Sequence, residues 1–246
     1  MIYRISRSDI NVADEIRSGR VNIRMSCATE MEEEAFERAK EFAEKVFEGD
    51  SSGHDIHHTL RVHSLARSIC AEEGGDEDVV RMAALLHDVD DPKLFHSTGY
   101  PNARRFMEGE GMDSETIERV VRIITQISFK GTGTVVPDSL EGRIVQDADR
   151  MDAIGAIGIA RAFAYGGSRG RPMHDPGEKP KENMTEAEYR ANQGTTVNHF
   201  YEKLLKLKDL MNTDAAKRMA EARHRYMQGF LDEFMDEWDG KRRFLA

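Results

Sequence analysis

The sequence predicts an all-α fold, and three observations carry that prediction. Apolar residues recur at intervals of three and four through most of the chain, which is the period of one helix face. Six prolines in 246 residues, with few runs of β-branched side chains, leave little that reads as strand. Several periodic stretches also open on Asp or Thr and close on Gly, the usual punctuation of helices. At 39% hydrophobic and 33% charged residues, a chain of this length buries a substantial core under a charged surface.

Residues 1–28 are the least regular part. Tyr3, Ile5, Val21, Ile23 and Met25 alternate weakly around a Ser18-Gly19-Arg20 turn, so these residues are set apart as an N-terminal arm of uncertain structure. Residues 29–246 read as a single domain. Thr29 with Glu32 resembles a capping box, and the helix it opens closes at Gly49. After a polar break, a helix starting near His54 puts His54, His58, Arg61, Val62 and Leu65 on one face and stops at Gly74-Gly75. Asp76 begins the next helix, whose apolar run Met82 to Leu86 leads into His87-Asp88. Pro92 forces the residue before it into an extended conformation, so this helix should end near Asp90. Three His-Asp pairs occur, at 54–55, 87–88 and 174–175, but only the second follows a long apolar helical lead-in.

Pro101 introduces a helix closed by Gly109 to Gly111, and Asp113 to Ile127 is amphipathic. Ser128 to Gly133 is a Gly-rich turn carrying Lys130. From Leu140 a helix is expected to run past Ile154, with Gly155 and Gly158 letting it approach its neighbours. Three aspartates in six residues of that helix are costly unless paired or metal-bound. Asp149 and Asp152 share a face with Val145, Ala153 and Ala156, while Asp147 points nearly opposite. Asp149 is therefore the inward carboxylate, Asp152 its neighbour one turn on, and Asp147 a salt-bridge or capping residue. Residues 166–184, with Arg169, Arg171, His174 and three prolines, read as one long structureless segment, of a length that is usually a lid or disorder. Thr195 to Leu210 and Thr213 to Trp238 complete the set as two helices.

Charge and cysteine usage narrow the function. A net charge of −10 argues against nucleic-acid binding but admits a phosphorylated small molecule if a bound cation supplies local positive charge. No stretch approaches the roughly 18 apolar residues of a membrane span, and the N-terminus lacks a signal-peptide pattern. Cys27 and Cys70 form no CxxC pair, so a reducing cytoplasm is the expected setting.

Collecting the inward polar residues gives His58, then His87-Asp88, then Asp149, each on a different helix. An imidazole and a carboxylate adjacent at the inner end of a helix can together hold one divalent metal. The order H…HD…D resembles the HD superfamily of metal-dependent phosphohydrolases. The strings His54-Asp55-x-x-His58-x-x-Arg61-Val62, Gln146-Asp147-Ala148-Asp149-Arg150-Met151-Asp152-Ala153-Ile154-Gly155 and Asn198-His199-Phe200-Tyr201-Glu202-Lys203-Leu204-Leu205 resemble its YedJ/YpgQ branch. That resemblance implies an all-α HD-domain helical bundle with one divalent metal between helices, held by His58, His87, Asp88 and Asp149. It also implies hydrolysis of nucleotides, in that branch the release of pyrophosphate from a nucleoside triphosphate.

The donor set does not choose among Mn, Mg, Fe, Co, Ni and Zn. His54, Asp55 and Arg61, beside the first ligand, are the catalytic candidates. Lys93, Lys130, Arg150, Lys203, Arg169 and Arg171 are the candidates for holding phosphates. A nucleoside 5'-monophosphate phosphatase would use the same site. An HD-fold di-iron oxygenase would need further histidines, and His63, His96 and His199 have no assignable place in a second site. A non-catalytic nucleotide-binding protein would not need an open position for water. The sequence is silent on oligomeric state.

Overall fold

A computed structural model describes residues 33–48, 56–91, 99–127, 135–182 and 184–241. The N-terminal arm and the Thr29/Glu32 capping box lie outside the described residues. Among the described residues every regular element is a helix, as the apolar spacing predicts.

Helix α1 (Glu33–Phe47) buries Phe36, Ala39, Ala43 and Phe47, which recur every three or four residues. It lies on α2 (Ile56–Glu73) and α3 (Glu77–Leu86). Helix α3 is buried on every side from Val79 to Leu86 and forms the centre of the bundle. Its one charged core residue, Arg81, stacks 3.6 Å over the Phe36 ring and donates to Glu33 Oε1 at 2.6 Å. That ion pair and ring contact make a buried guanidinium tolerable. Asp76 caps the helix, accepting a hydrogen bond from Val79 N.

Helix α3 ends at Leu86, four residues before the expected stop. The chain turns through residues 87–90, and Asp90 accepts from the backbone N–H groups of Asn102 and Ala103 at 3.0 and 2.9 Å. The Asp90 carboxylate thus satisfies the first turn of α4 (Pro101–Gly109) instead of closing α3. Helices α5 (Ser114–Ile127) and α6 (Leu140–Asp152) complete the core: α2 and α3 both pack on α6, and α5 covers α3 and α6.

The helix expected to continue past Ile154 is in fact two. Helix α6 stops at Asp152, and α7 (Gly155–Ser168) starts afresh after Ala153 and Ile154. Gly155 takes a φ of +79°, and a Cβ on Gly158 would stand 2.2 Å from the Ala153 carbonyl oxygen. Both glycines serve the break, and Gly155 also allows the close approach of α10 (Asp214–Trp238), since a Cβ there would stand 3.0 Å from Arg223 Cγ.

Helix α7 also runs through Gly166 to Ser168, so the irregular segment starts at Arg169. That segment is tied down. Thr196 N donates to Pro172 O at 3.0 Å, Val197 N to Met173 O at 2.9 Å, and Asn198 Nδ2 to Glu178 O at 3.1 Å. His174 sits edge-on to Trp238, with ring centroids 5.1 Å apart. A short helix α8 (Glu186–Ala191) follows. The stretch Thr195 to Leu210, expected as one helix, is α9 (Thr196–Glu202) followed by a 3₁₀ segment (Leu204–Leu210). Lys203 interrupts it with non-helical angles. Helix α10 (Asp214–Trp238) is capped by Thr213, as its sequence predicts. No helix among the described residues is long and apolar enough to cross a membrane.

Candidate metal centre

Helices α2, α3 and α6 meet where three of them carry polar side chains inward. His58 lies in the first turn of α2, His87 at the C-cap of α3 and Asp149 in the penultimate turn of α6. His58 and Asp149 project from α2 and α6, which bury Val62 and Val145, and His87 directly follows the buried Leu86. The ligand-type atoms of His58, His87 and Asp149 all lie within 4.8 Å of one another. His58 Nε2 is 3.3 Å from His87 Nε2 and 3.4 Å from Asp149 Oδ1. Asp88 joins through Oδ2, 3.2 Å from His87 Nε2 and 3.5 Å from His58 Nε2. Ligands about 2.1 Å from one ion stand roughly 3.0–3.4 Å apart, so the spacing and the donor chemistry both fit a divalent cation.

The tautomers point the same way. His87 Nδ1 lies 2.8 Å from Ala84 O and His58 Nδ1 lies 2.7 Å from Asp152 Oδ2. A carbonyl and a carboxylate only accept, so both Nδ1 atoms donate. With Nδ1 engaged in this way, Nε2 of each ring is the atom that would bind a cation. The field is strongly negative. Burial pushes the His58 pKa down, but hydrogen bonds to Asp149, Asp152 and Asp88 outweigh it and hold it well above the ordinary value. Burial likewise opposes ionisation of Asp88, yet His87 and His58 keep that carboxyl well below its usual range.

His63, five residues along α2 from His58, shows the opposite behaviour. Burial, with Lys40 and Arg81 nearby, lowers its pKa to about 4. It stays neutral and outside the cluster. Burial, Lys203 and Arg171 do the same to His199, bringing it to about 3. His96 lies outside the described residues. Among those described, His58, His87 and Asp149 make the one group of three or more such residues spaced to hold a metal ion. The imidazoles are buried, while the Asp149 side chain is 29% exposed, so the cluster opens to solvent on its carboxylate side.

The three aspartates of α6 have three fates. Asp149 faces the cluster. Asp152, one turn on and 2% exposed, orients His58 and accepts from Arg61 Nε at 2.6 Å and Arg161 Nη1 at 2.5 Å. Asp147 points away and caps α10, accepting from Asn212 N, Thr213 N and the Thr213 hydroxyl. The face assignment from sequence therefore describes all three.

His54, Asp55, Lys93 and Lys130 lie outside the described residues. Arg61 is bound to Asp152. Arg150 is buried and donates from Nη1 to the Leu210 carbonyl, tying α6 to the 3₁₀ segment. Arg171 donates to Asn192 O at 2.8 Å, and both Arg169 and Arg171 lie against the Tyr165 ring. Lys203 sits at the C-cap of α9.

Sequence reasoning missed Arg161. On a continuous helix it would lie nine residues from Asp152, about 13 Å along the axis and on the opposite face. The break at Ala153–Ile154 folds it back onto the carboxylate.

An all-helical bundle with a His/His-Asp/Asp cluster between its helices defines a class, and comparison with known proteins agrees. Residues 55–154 match the HD domain family. The chain is 37% identical over 214 residues to the uncharacterized protein YpgQ of Bacillus subtilis, spanning 83% of this chain and 94% of that one. The chain belongs to the HD superfamily of hydrolases and, within it, to the YpgQ-like branch. Among solved structures, an HD-superfamily hydrolase from Bacillus thuringiensis is 45% identical with a TM-score of 0.70, covering 85% of this chain and 98% of the other. Bacillus subtilis YpgQ, solved in complex with ADP, is 34% identical with a TM-score of 0.67, covering 82% and 97%. A more distant relative is a deoxyguanosinetriphosphate triphosphohydrolase-like protein of Rhodopseudomonas palustris. It is 27% identical over 150 residues, or 58% of this chain and 37% of that protein.

Proposed function

We propose that this protein is a metal-dependent phosphohydrolase acting on nucleotides, and that it releases pyrophosphate from a nucleoside triphosphate. The observation that carries the reading is the convergence of His58, His87 and Asp149 from three helices within 4.8 Å of one another, with Asp88 Oδ2 3.2 and 3.5 Å from the two imidazoles. The ADP complex of YpgQ and the triphosphohydrolase-like relative support a nucleotide as the ligand.

His58, His87, Asp88 and Asp149 would hold one divalent ion. Such an ion supplies Lewis acidity toward a phosphoryl oxygen and lowers the pKa of water. The chain's own residues supply the rest. Asp152 and the Ala84 carbonyl hold the protons of His58 and His87 on Nδ1, so neither ring turns its lone pair away from the cluster. The buried imidazoles wall off one side, which leaves the phosphate to enter over Asp149. Phosphoryl transfer needs mainly positioning and charge stabilisation, which this rigid, one-sided site provides. His54 and Asp55, just ahead of α2, are our candidates for orienting the attacking water, and Lys93 and Lys130 for phosphate contacts. A cytoplasmic setting belongs to the same proposal.

The test is a panel of nucleoside tri-, di- and monophosphates with products separated by anion exchange, run with Mn²⁺ and with a chelator. The expected products are a nucleoside monophosphate and pyrophosphate, formed only with metal. Orthophosphate released from monophosphates would favour the phosphatase alternative, and turnover in chelator would overturn metal dependence.

A further inference from the structure

Asp88 is the one cluster residue that lies neither within a helix nor at a helix cap. Helix α3 ends at Leu86, His87 is its C-cap, and Asp88 follows in the turn through residue 90. In that turn Val89 N reaches Leu86 O only at 3.4 Å, and Asp91 N donates to Asp88 O at 3.0 Å. The helical ladder fixes the backbone of His58 and of Asp149, whereas Asp88 depends on contacts from elsewhere.

The first turn of α4 supplies them. Asn102 Nδ2 donates to Val89 O at 2.9 Å. In return Asp90 accepts from Asn102 N on Oδ1 at 3.0 Å and from Ala103 N on Oδ2 at 2.9 Å. The bonds run both ways between the two segments and close on the residues one and two places after Asp88. Val89 and Asp90 are 0% and 3% exposed, so water offers these groups little alternative.

The start of α4 is shaped for this clasp. The amides of Asn102 and Ala103 occupy the positions that an N-cap side chain ordinarily serves. Here the N-cap is Tyr100, which makes no side-chain capping bond, and Pro101 has no N–H to satisfy. The cap comes instead from Asp90, 12 residues before Asn102. Tyr100 also takes a φ of +57°, the one non-glycine residue in the left-handed region among those described. A bulky residue keeps that conformation only where its surroundings over-determine it. A Ser or Asp at the N-cap, in extended conformation, would have capped α4 locally and left the turn after His87 untied.

We propose that Asn102 and Asp90 are positioning residues for the metal centre: their clasp sets the backbone after Asp88 and so directs its carboxylate at the cluster. The inference rests on the reading of His58, His87, Asp88 and Asp149 as a metal site. It adds to that site a helix, α4, that contributes no ligand. The coupling is mutual, so a cation that fixes Asp88 also holds the first turn of α4 in place.

The test reads the metal and the backbone separately on the full-length protein. Mn²⁺ titration calorimetry compares the wild type with Asn102→Ala, which deletes the bond to Val89 O and keeps the backbone N–H for Asp90. Asp147→Ala, which loses the cap of α10, is the control for a purely structural defect. Asn102→Ala should bind Mn²⁺ about tenfold more weakly, and Asp147→Ala as the wild type does. In metal-free protein, amide hydrogen exchange of a peptide covering residues 86–91 should speed up in Asn102→Ala, with peptides around residues 58 and 149 unchanged. Asp90→Asn, which keeps one of the two acceptors, should show both effects and serves if Asn102→Ala does not fold. Affinity within about twofold of the wild type, or weaker binding without the local change in exchange, would overturn the clasp. If the wild type itself binds no Mn²⁺, the metal reading fails, and the exchange contrast alone decides whether the clasp holds residues 87–90. If the wild type binds one ion and Asn102→Ala binds it equally well, the metal reading stands and the clasp fails.

Discussion

The candidate metal centre and the segment from Arg169 to Thr185 are both dense in polar side chains, but they are ordered by different means. In the centre, His58, His87, Asp88 and Asp149 project from apolar helices or their ends, and core packing sets their direction. In the segment no helix does this work. Instead Pro172, Met173 and Glu178 offer carbonyls to α9, and Lys181 reaches Glu202 Oε1 with its N–H and Asn192 Oδ1 with its ammonium. The first kind of order is written as periodicity. The second is a set of individual long-range hydrogen bonds, and Gly, Pro and Arg content alone gives no sign of it.

The largest effects should come from the centre. His87→Ala or Asp88→Ala should abolish divalent-metal binding and nucleotide hydrolysis while helical circular dichroism stays near wild type. Full activity in either variant would break the comparison at its stronger half. Asp152→Asn should come next. It keeps the side-chain volume but weakens the acceptor for His58 Nδ1, so metal affinity should fall by about 10- to 100-fold by titration calorimetry. An unchanged affinity would mean that the helix alone orients the ring.

Asp147→Ala should sharpen the contrast within α6. Its loss strands the backbone N–H groups of Asn212 and Thr213, so stability should drop by about 2–3 kcal/mol in urea denaturation, with metal affinity unchanged. Loss of metal binding there would exchange the roles of Asp147 and Asp149. The smallest kinetic effect should follow Arg169→Ala with Arg171→Ala. As anchors they should raise the rate of proteolytic nicking between residues 169 and 185, and should alter hydrolysis of tri- and monophosphates equally. A selective loss on triphosphates would return these arginines to the substrate's path.

Much of this was legible in the sequence because the helices are amphipathic. The lead-in to His87, the face shared by Asp149 and Asp152, and the outward turn of Asp147 all follow from a period of 3.6 residues. What was not legible depends on where helices end. Asp90 looked like the tail of α3 but belongs to the next helix, since a carboxylate's partner 12 residues away leaves no local trace. The break at Ala153–Ile154 hid Arg161, because a continuous helix carries it to the far face. Lys203 split an apparently regular stripe for a similar reason: backbone angles at one residue, not side-chain pattern, decide the division.

The most direct test of the central claim is the number of Mn²⁺ ions bound per chain by equilibrium dialysis, measured on the wild type and Asp149→Ala. One tightly bound ion in the wild type, and none in the folded variant, is the result expected if His58, His87, Asp88 and Asp149 form a single metal site. An Asp149→Ala protein that binds the ion as the wild type does would contradict it.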